Sequence, residues 1–88
     1  MSSHYVYILY SKSCNKYYIG HTKNVQERLL QHNSGRTPST QSGKPWILMY
    51  TEKYDDKSSA AKREVKIKRM KSRKFIESLF HYENILVD

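Results

Sequence analysis

The chain has 88 residues, 38% of them apolar, and carries sixteen Lys and Arg against eight Asp and Glu, a formal charge of +8. So short a chain buries only about 60% of its unfolded surface and makes one domain, residues 1–88. No apolar run nears the ~18 residues of a membrane span, and Cys14, being alone, excludes a disulfide framework and fits a reducing compartment. The charge favours a polyanionic partner. The first four residues lack the basic-then-apolar pattern of a secretory leader, so a cytoplasmic protein is expected.

His4–Tyr10 is rich in aromatic and β-branched residues and predicts a strand. A polar turn over Ser11–Lys16 leads to a second strand over Tyr17–His21, and so short a connection predicts an antiparallel hairpin. Asn24 followed by Glu27 is a helix-start pattern. Val25, Leu29 and Leu30 supply the apolar positions, and Gly35 the stop. The polar stretch Arg36–Lys44 is long for a connector, and long loops are often functional or mobile. Pro45–Thr51 predicts a third strand opening on proline. Asp55 and Asp56 read as helix-start residues before a helix over Ser58–Met70. Ser72 then caps a last short helix carrying Phe75, Ile76, Leu79 and Phe80; the chain from His81 onward is ambiguous. The order β-β-α-β-α-α suits an α+β fold: a small three-stranded antiparallel sheet flanked by helices.

The positive charge is concentrated. Lys62, Arg63, Lys66, Lys68, Arg69, Lys71, Arg73 and Lys74 fall within thirteen residues. Nucleic acid is the first reading. An anionic membrane surface is the second, but the stretch lacks a broad Trp/Phe/Leu face.

Three groups can carry chemistry. Glu64 shares a helix face with Ala60, Ala61 and Ile67. A carboxylate on an inner stripe is costly to bury without a counter-charge. It is either a metal ligand or one half of an ion pair with Lys68 at i+4. Arg28 and His32 also stand four apart and project from one side of the first helix. Arg28 can fork onto phosphate oxygens or simply lie exposed. His32 can bond a phosphate or Tyr18 and move a proton near neutrality, or it is a satisfied, partly buried histidine. The eight tyrosines default to packing.

Two triplets single out Tyr7 and Tyr18. Tyr5-Val6-Tyr7 and Tyr18-Ile19-Gly20, followed by Arg28, His32 and Glu64, resemble the GIY-YIG nuclease family, over roughly Tyr5 to Met70. The spacings are similar to those of the excision-repair nuclease UvrC. Pro45-Trp46-Ile47-Leu48 and Ala60-Ala61-x-x-Glu64 resemble stand-alone bacterial members. The resemblance implies an α+β nuclease that hydrolyses DNA phosphodiester bonds to 5′-phosphate and 3′-hydroxyl ends. It gives Tyr18 the role of general base and places Tyr7 near the nucleophile. It puts Arg28 and His32 at the scissile phosphate and one divalent metal, Mg²⁺ or Mn²⁺, on Glu64. Gly20 would let backbone approach phosphate or metal. The sequence departs from the family pattern twice: Tyr5 replaces a glycine, and no Asn follows Glu64 before Asn84. Lys71 or Lys74 would then supply the contact that the Asn makes.

These readings converge on a metal-dependent DNA endonuclease in repair or recombination. Lys62, Arg63, Lys66, Arg69, Lys71, Arg73 and Lys74 would track the phosphate backbone without reading sequence. DNA shape or a protein partner would supply specificity, and RNA is not excluded as substrate. The alternative is a non-catalytic nucleic-acid-binding module, or a subunit active only with a partner.

Overall fold

The structure is a computed structural model. It describes residues 3–87, with side chains through Phe80. Three strands, β1 (His4–Ser11), β2 (Lys16–Thr22) and β3 (Trp46–Tyr54), form one antiparallel sheet in the order β2-β1-β3. Three α-helices flank it: α1 (Val25–Asn33), α2 (Lys57–Met70) and α3 (Arg73–Val87). The fold is α+β, as the sequence predicts.

β1 is central because its apolar residues serve both faces. Val6 and Ile8 pack with Ile19, Ala60, Ile67 and Ile76 under α2 and α3. Tyr7 and Leu9 pack with Trp46, Val25 and Leu29 under α1. Alternate residues of a strand point to opposite faces, so one run of buried residues feeds two thin cores. A register shift between Ile8 and Leu9 lets β3 pass Met49 without a partner. That bulge re-aims β3, so Leu48 joins the α1 side while Tyr50 and Tyr54 join the α2 side.

The helix starts are where local chemistry puts them. The Asn24 side chain accepts from Glu27 N and that of Asp56 from Ser59 N, while Ser72 Oγ accepts from Phe75 N. Each satisfies an amide that a helix N-terminus leaves without a partner.

Element bounds are adjusted in places. β3 runs on to Tyr54, and Pro45 precedes it, joined by a cis peptide bond to Lys44. Gly20 lies within β2, which continues to Thr22. The Arg36–Lys44 stretch contains a 3-10 helix, Pro38–Gly43, with Thr40 and Gly43 buried; the Trp46 indole N–H donates to Thr40 O at 2.7 Å and holds it down. The basic run is divided between two helices, as the predicted break between Met70 and Ser72 requires: Lys71 takes a left-handed conformation (φ 46°) that ends α2 before α3 begins. α3 extends through Val87; the side chains of Tyr82 and Asn84 lie outside the described residues.

Arg63 is committed to the fold. Its guanidinium forks onto Glu52 at 2.9 and 3.0 Å, and the Tyr50 and Tyr54 hydroxyls donate to the same carboxylate at 2.6 and 2.8 Å. These bonds outweigh burial and hold the Glu52 carboxyl below its usual range. The cluster ties α2 to β3 and leaves Arg63 no fork for a phosphate. Arg73 is similarly engaged: it lies over the Tyr17 ring and bonds Asn15 and Glu77, pinning the start of α3 to the β1–β2 turn.

Candidate active site

The site is built around the middle of the β1–β2 pair. Tyr7 pairs with Gly20 in register, so both face α1. With no side chain at Gly20, the Tyr7 ring lies directly over it: a Cβ there would stand 2.5 Å from Tyr7 Oη and 2.7 Å from Cζ. Gly20 thus makes room for a phenol, a requirement that the reading of it as a backbone approach point did not contain.

Behind the phenol lies a hydrogen-bonded chain. Tyr7 Oη is 3.0 Å from His32 Nε2, and His32 Nδ1 is 2.8 Å from Thr40 Oγ1. The Thr40 hydroxyl donates to Thr37 O at 3.2 Å. Its one proton being spent there, Thr40 accepts from His32 Nδ1–H. Nε2 then carries the lone pair and accepts from the Tyr7 hydroxyl. His32 is fully buried, so its partner is Tyr7, and it makes no bond to Tyr18. Tyr18 instead packs against His32 edge-on, with ring centroids 4.8 Å apart. Asn33 steadies the arrangement by pairing its side-chain amide with the Trp46 backbone at 2.6 and 3.1 Å. That bond joins the end of α1 to the start of β3. Thr40 and Asn33 carry no recognisable signal in the sequence; each acts through a tertiary contact.

Arg28 lies against the two phenols. Hydrogen bonding to Tyr7 is the largest cause that holds its guanidinium above its ordinary pKa, with Tyr18 contributing in the same sense. Its Nη1 donates to Gln31 at 2.9 Å. Burial pushes the Tyr7 phenol up, Arg28 pulls it down, and burial wins. At neutral pH Tyr7 is therefore a neutral phenol whose proton points at a lone pair. Burial, with a smaller contribution from Arg28, lowers the His32 pKa, so His32 is neutral and able to accept. The sign follows. A histidine with a depressed folded pKa supports the fold fully above about pH 6.5 and progressively less as pH falls towards its folded value. His4, buried and shifted the same way, adds to the effect. The melting temperature is expected to drop between pH 7 and pH 5, and thermal scans across that range check it.

Glu64 approaches from the other face. It lies on α2 beside His21, which follows Gly20 on β2; His21 Nε2 is 3.8 Å from Glu64 Oε1. The Glu64 charge acts on Tyr7, raising its pKa, so the carboxylate and the phenol share one electrostatic neighbourhood where β2 forms the edge of the sheet. Lys68 binds Oε2, so the i,i+4 ion pair weighed from the sequence is present. One carboxylate oxygen, half-buried and facing an imidazole, fits a hard divalent cation that keeps most of its ligands as water and phosphate oxygens. No group of three or more His, Cys, Asp and Glu converges among the described residues, so an all-protein cage is not what this site offers.

The basic residues divide between two faces. At about 100° per residue, Lys62, Lys66 and Arg69 fall on the side of α2 opposite Glu64. They flank a shallow groove floored by Ala61, Val65 and Met70. A second groove runs along β2 to the α2–α3 junction, floored by Tyr17, Ile19, Ile67 and Ile76. Lys16, Lys68, Lys71 and Arg73 rim it. Lys74 is exposed on α3. The second groove is continuous with Glu64 through Lys68; the first is not.

A three-stranded sheet bearing two tyrosines on adjacent strands, with an arginine and a histidine brought over them by the next helix, defines a GIY-YIG-type catalytic domain. The chain belongs to the GIY-YIG family: the model of the GIY-YIG catalytic domain matches residues 3–76. The curated relatives it resembles are UPF0213 proteins. One from Staphylococcus haemolyticus is 42% identical over 69 residues, covering 77% of this chain and 83% of that protein. Another, from Halobacterium salinarum, is 41% identical over 78 residues, covering 88% and 99%. The solution NMR structure of a UPF0213 protein from Bacillus halodurans superposes with a TM-score of 0.57 at 33% identity, covering 91% of this chain and 84% of that one. The family is one of nucleases, so DNA is the substrate class that membership implies. Among the described residues no helix is long and apolar enough to cross a membrane.

Proposed function

We propose that this protein is a cytoplasmic, metal-dependent endonuclease that hydrolyses DNA phosphodiester bonds in repair or recombination. Substrate shape, not sequence, would direct it. The observation that carries the proposal is the Tyr7–His32–Thr40–Thr37 chain, with the Arg28 guanidinium beside Tyr7.

Hydrolysis needs a proton taken from water and negative charge stabilised on the phosphate. Tyr7 takes the water proton as its own passes to His32 Nε2, so no free phenolate has to exist beforehand. The resemblance gives the base role to Tyr18. The acceptor standing behind Tyr7 favours Tyr7, because no comparable acceptor stands behind the Tyr18 hydroxyl among the described residues. Tyr7 is only 2% exposed, so water would have to reach it by a small rearrangement at Arg28 beside it, whose fork would meet two phosphate oxygens. Tyr18 holds the other side of that guanidinium. Glu64 would hold the metal, which supplies Lewis-acid stabilisation of the phosphate and leaving oxygen. In this reading cleavage requires neutral His32, so the rate falls as pH drops below about 6.5, with a midpoint below the ordinary histidine value. A pH–rate profile from 5 to 8 checks it.

The β2 groove lies beside Glu64, so its lysines are the ones to carry the strand. Lys16→Ala and Lys71→Ala are each expected to weaken duplex binding and to lower the salt slope by about 0.9. Lys62→Ala and Lys66→Ala would change both less. Titrations at several salt concentrations decide it. The Lys68–Glu64 ion pair is the one observation favouring the alternative, a binding module without catalysis. The two separate on analysis of products: metal-dependent cleavage leaving ligatable 5′-phosphate and 3′-hydroxyl ends supports the enzyme. Tight, salt-sensitive binding with no cleavage in Mg²⁺ or Mn²⁺ overturns it.

A further inference from the structure

His21 is anomalous. Its Nδ1 is buried with no hydrogen-bond partner. Its Nε2 stands 3.8 Å from Glu64 Oε1, beyond hydrogen-bond reach. The ring touches His4, with centroids 5.2 Å apart, and that contact offers it no proton partner. Nδ1 is the buried nitrogen; Nε2, the nitrogen that faces Glu64, is not closed off in the same way and is open to water or to an ion.

The spacing supplies the rest. Two donors on one ion, with bonds of about 2.1 Å, stand between about 3.0 Å apart at a right angle and about 4.2 Å apart when opposed. The His21–Glu64 separation of 3.8 Å falls inside that interval. The two side chains come from different elements, β2 and α2, and meet where the sheet edge approaches the helix. Position also favours the pairing. His21 follows Gly20, the residue that seats Tyr7, so an ion between His21 and Glu64 lies on the edge strand one residue from the phenol's seat. Lys68, 51% exposed in its side chain, holds the other carboxylate oxygen and competes for it as a cation.

We infer that His21 is a second protein ligand of the metal held by Glu64, and that this imidazole biases the site towards Mn²⁺ and later first-row ions over Mg²⁺. The chemistry is ordinary: imidazole suits transition metals, whereas Mg²⁺ takes oxygen ligands almost exclusively. The inference rests on the metal reading of Glu64 and adds the ligand that sets its preference.

The test reads metal binding, not activity. Free Mn²⁺ is titrated by electron paramagnetic resonance against the full chain at pH 7.5. The proteins compared are the wild type, His21→Gln, Glu64→Gln and Lys68→Met. The expected result is one Mn²⁺ per chain, weakened by tenfold or more in His21→Gln and abolished in Glu64→Gln. Lys68→Met, freed of its competing ammonium, binds more tightly. Mg²⁺, followed by its displacement of Mn²⁺, is weakened no more than about twofold by His21→Gln, since it loses no oxygen ligand. A pulsed spectrum of the wild-type Mn²⁺ complex needs no variant to fold and should show nitrogen coupling from a bound imidazole. Mn²⁺ binding that Glu64→Gln removes but His21→Gln leaves intact, with no nitrogen coupling, overturns the inference and spares the metal reading. Absence of Mn²⁺ binding in every protein overturns both.

Discussion

Replacing Tyr7 with Phe is expected to lower the cleavage rate by about 10²–10⁴-fold, the usual range for loss of a positioned proton acceptor. The ring stays and its packing with Leu9 and Trp46 is kept. Only the hydroxyl goes, and with it the donor to His32 Nε2 at 3.0 Å. The buried nitrogen then lacks a partner, which costs about 1–3 kcal/mol of stability. Circular dichroism and a melting curve separate that modest loss from the catalytic one. Because Tyr7 and His32 act as one relay, adding His32→Gln to Tyr7→Phe should cost little more than either change alone. Tyr18→Phe leaves the relay in place and should lose about tenfold, as a group that holds Arg28 without moving a proton. A larger loss from Tyr18→Phe than from Tyr7→Phe would return the base role to Tyr18.

Gly20→Ala is the second large effect. In an ordinary strand interior, exchanging glycine for alanine stabilises by roughly 0.5–1 kcal/mol. Here the sign reverses, because the new methyl would stand 2.5 Å from Tyr7 Oη and 2.7 Å from Cζ. The ring must shift, and overpacking of this kind costs about 1–3 kcal/mol. A catalytic group displaced by about 1 Å loses on the order of 10²-fold in rate. Pairing Gly20→Ala with Tyr7→Leu removes the clash, so the double variant should lose clearly less stability than the two single losses added together, while activity does not return. A Gly20→Ala protein with unchanged stability and rate would mean that the ring does not lie over Gly20.

The sequence carries the local part of this picture. Cap residues Asn24, Asp56 and Ser72 mark the helix starts through bonds that span three residues. The aromatic and β-branched runs mark the strands. The triplets with Arg28, His32 and Glu64 identify the site because their spacing is itself sequence information. What the sequence hides is set by tertiary contact. Thr40 sits in a stretch that reads as a plain polar loop, and only packing under Trp46 brings its hydroxyl to His32. Glu52 and Arg63, from β3 and α2, look like two surface charges until the sheet and helix meet. The basic run reads as one cationic stretch, with nothing to say which way its lysines face. A single left-handed residue, Lys71, and the helical period then turn its lysines to different faces. His21 looks like the end of a strand and becomes notable only when α2 sets Glu64 beside it.

The central claim is that Tyr7, Arg28 and Glu64 form one metal-dependent hydrolytic site. The most direct measurement follows cleavage of an end-labelled flapped DNA duplex in Mg²⁺ and in Mn²⁺. The wild type is compared with Tyr7→Phe and Glu64→Gln, each confirmed folded, and EDTA serves as the blank. The account predicts cleavage by the wild type alone, abolished by EDTA and reduced at least a hundredfold in both variants. Cleavage that persists in EDTA or in Glu64→Gln, or a wild type that binds the duplex and never cuts it, would contradict it.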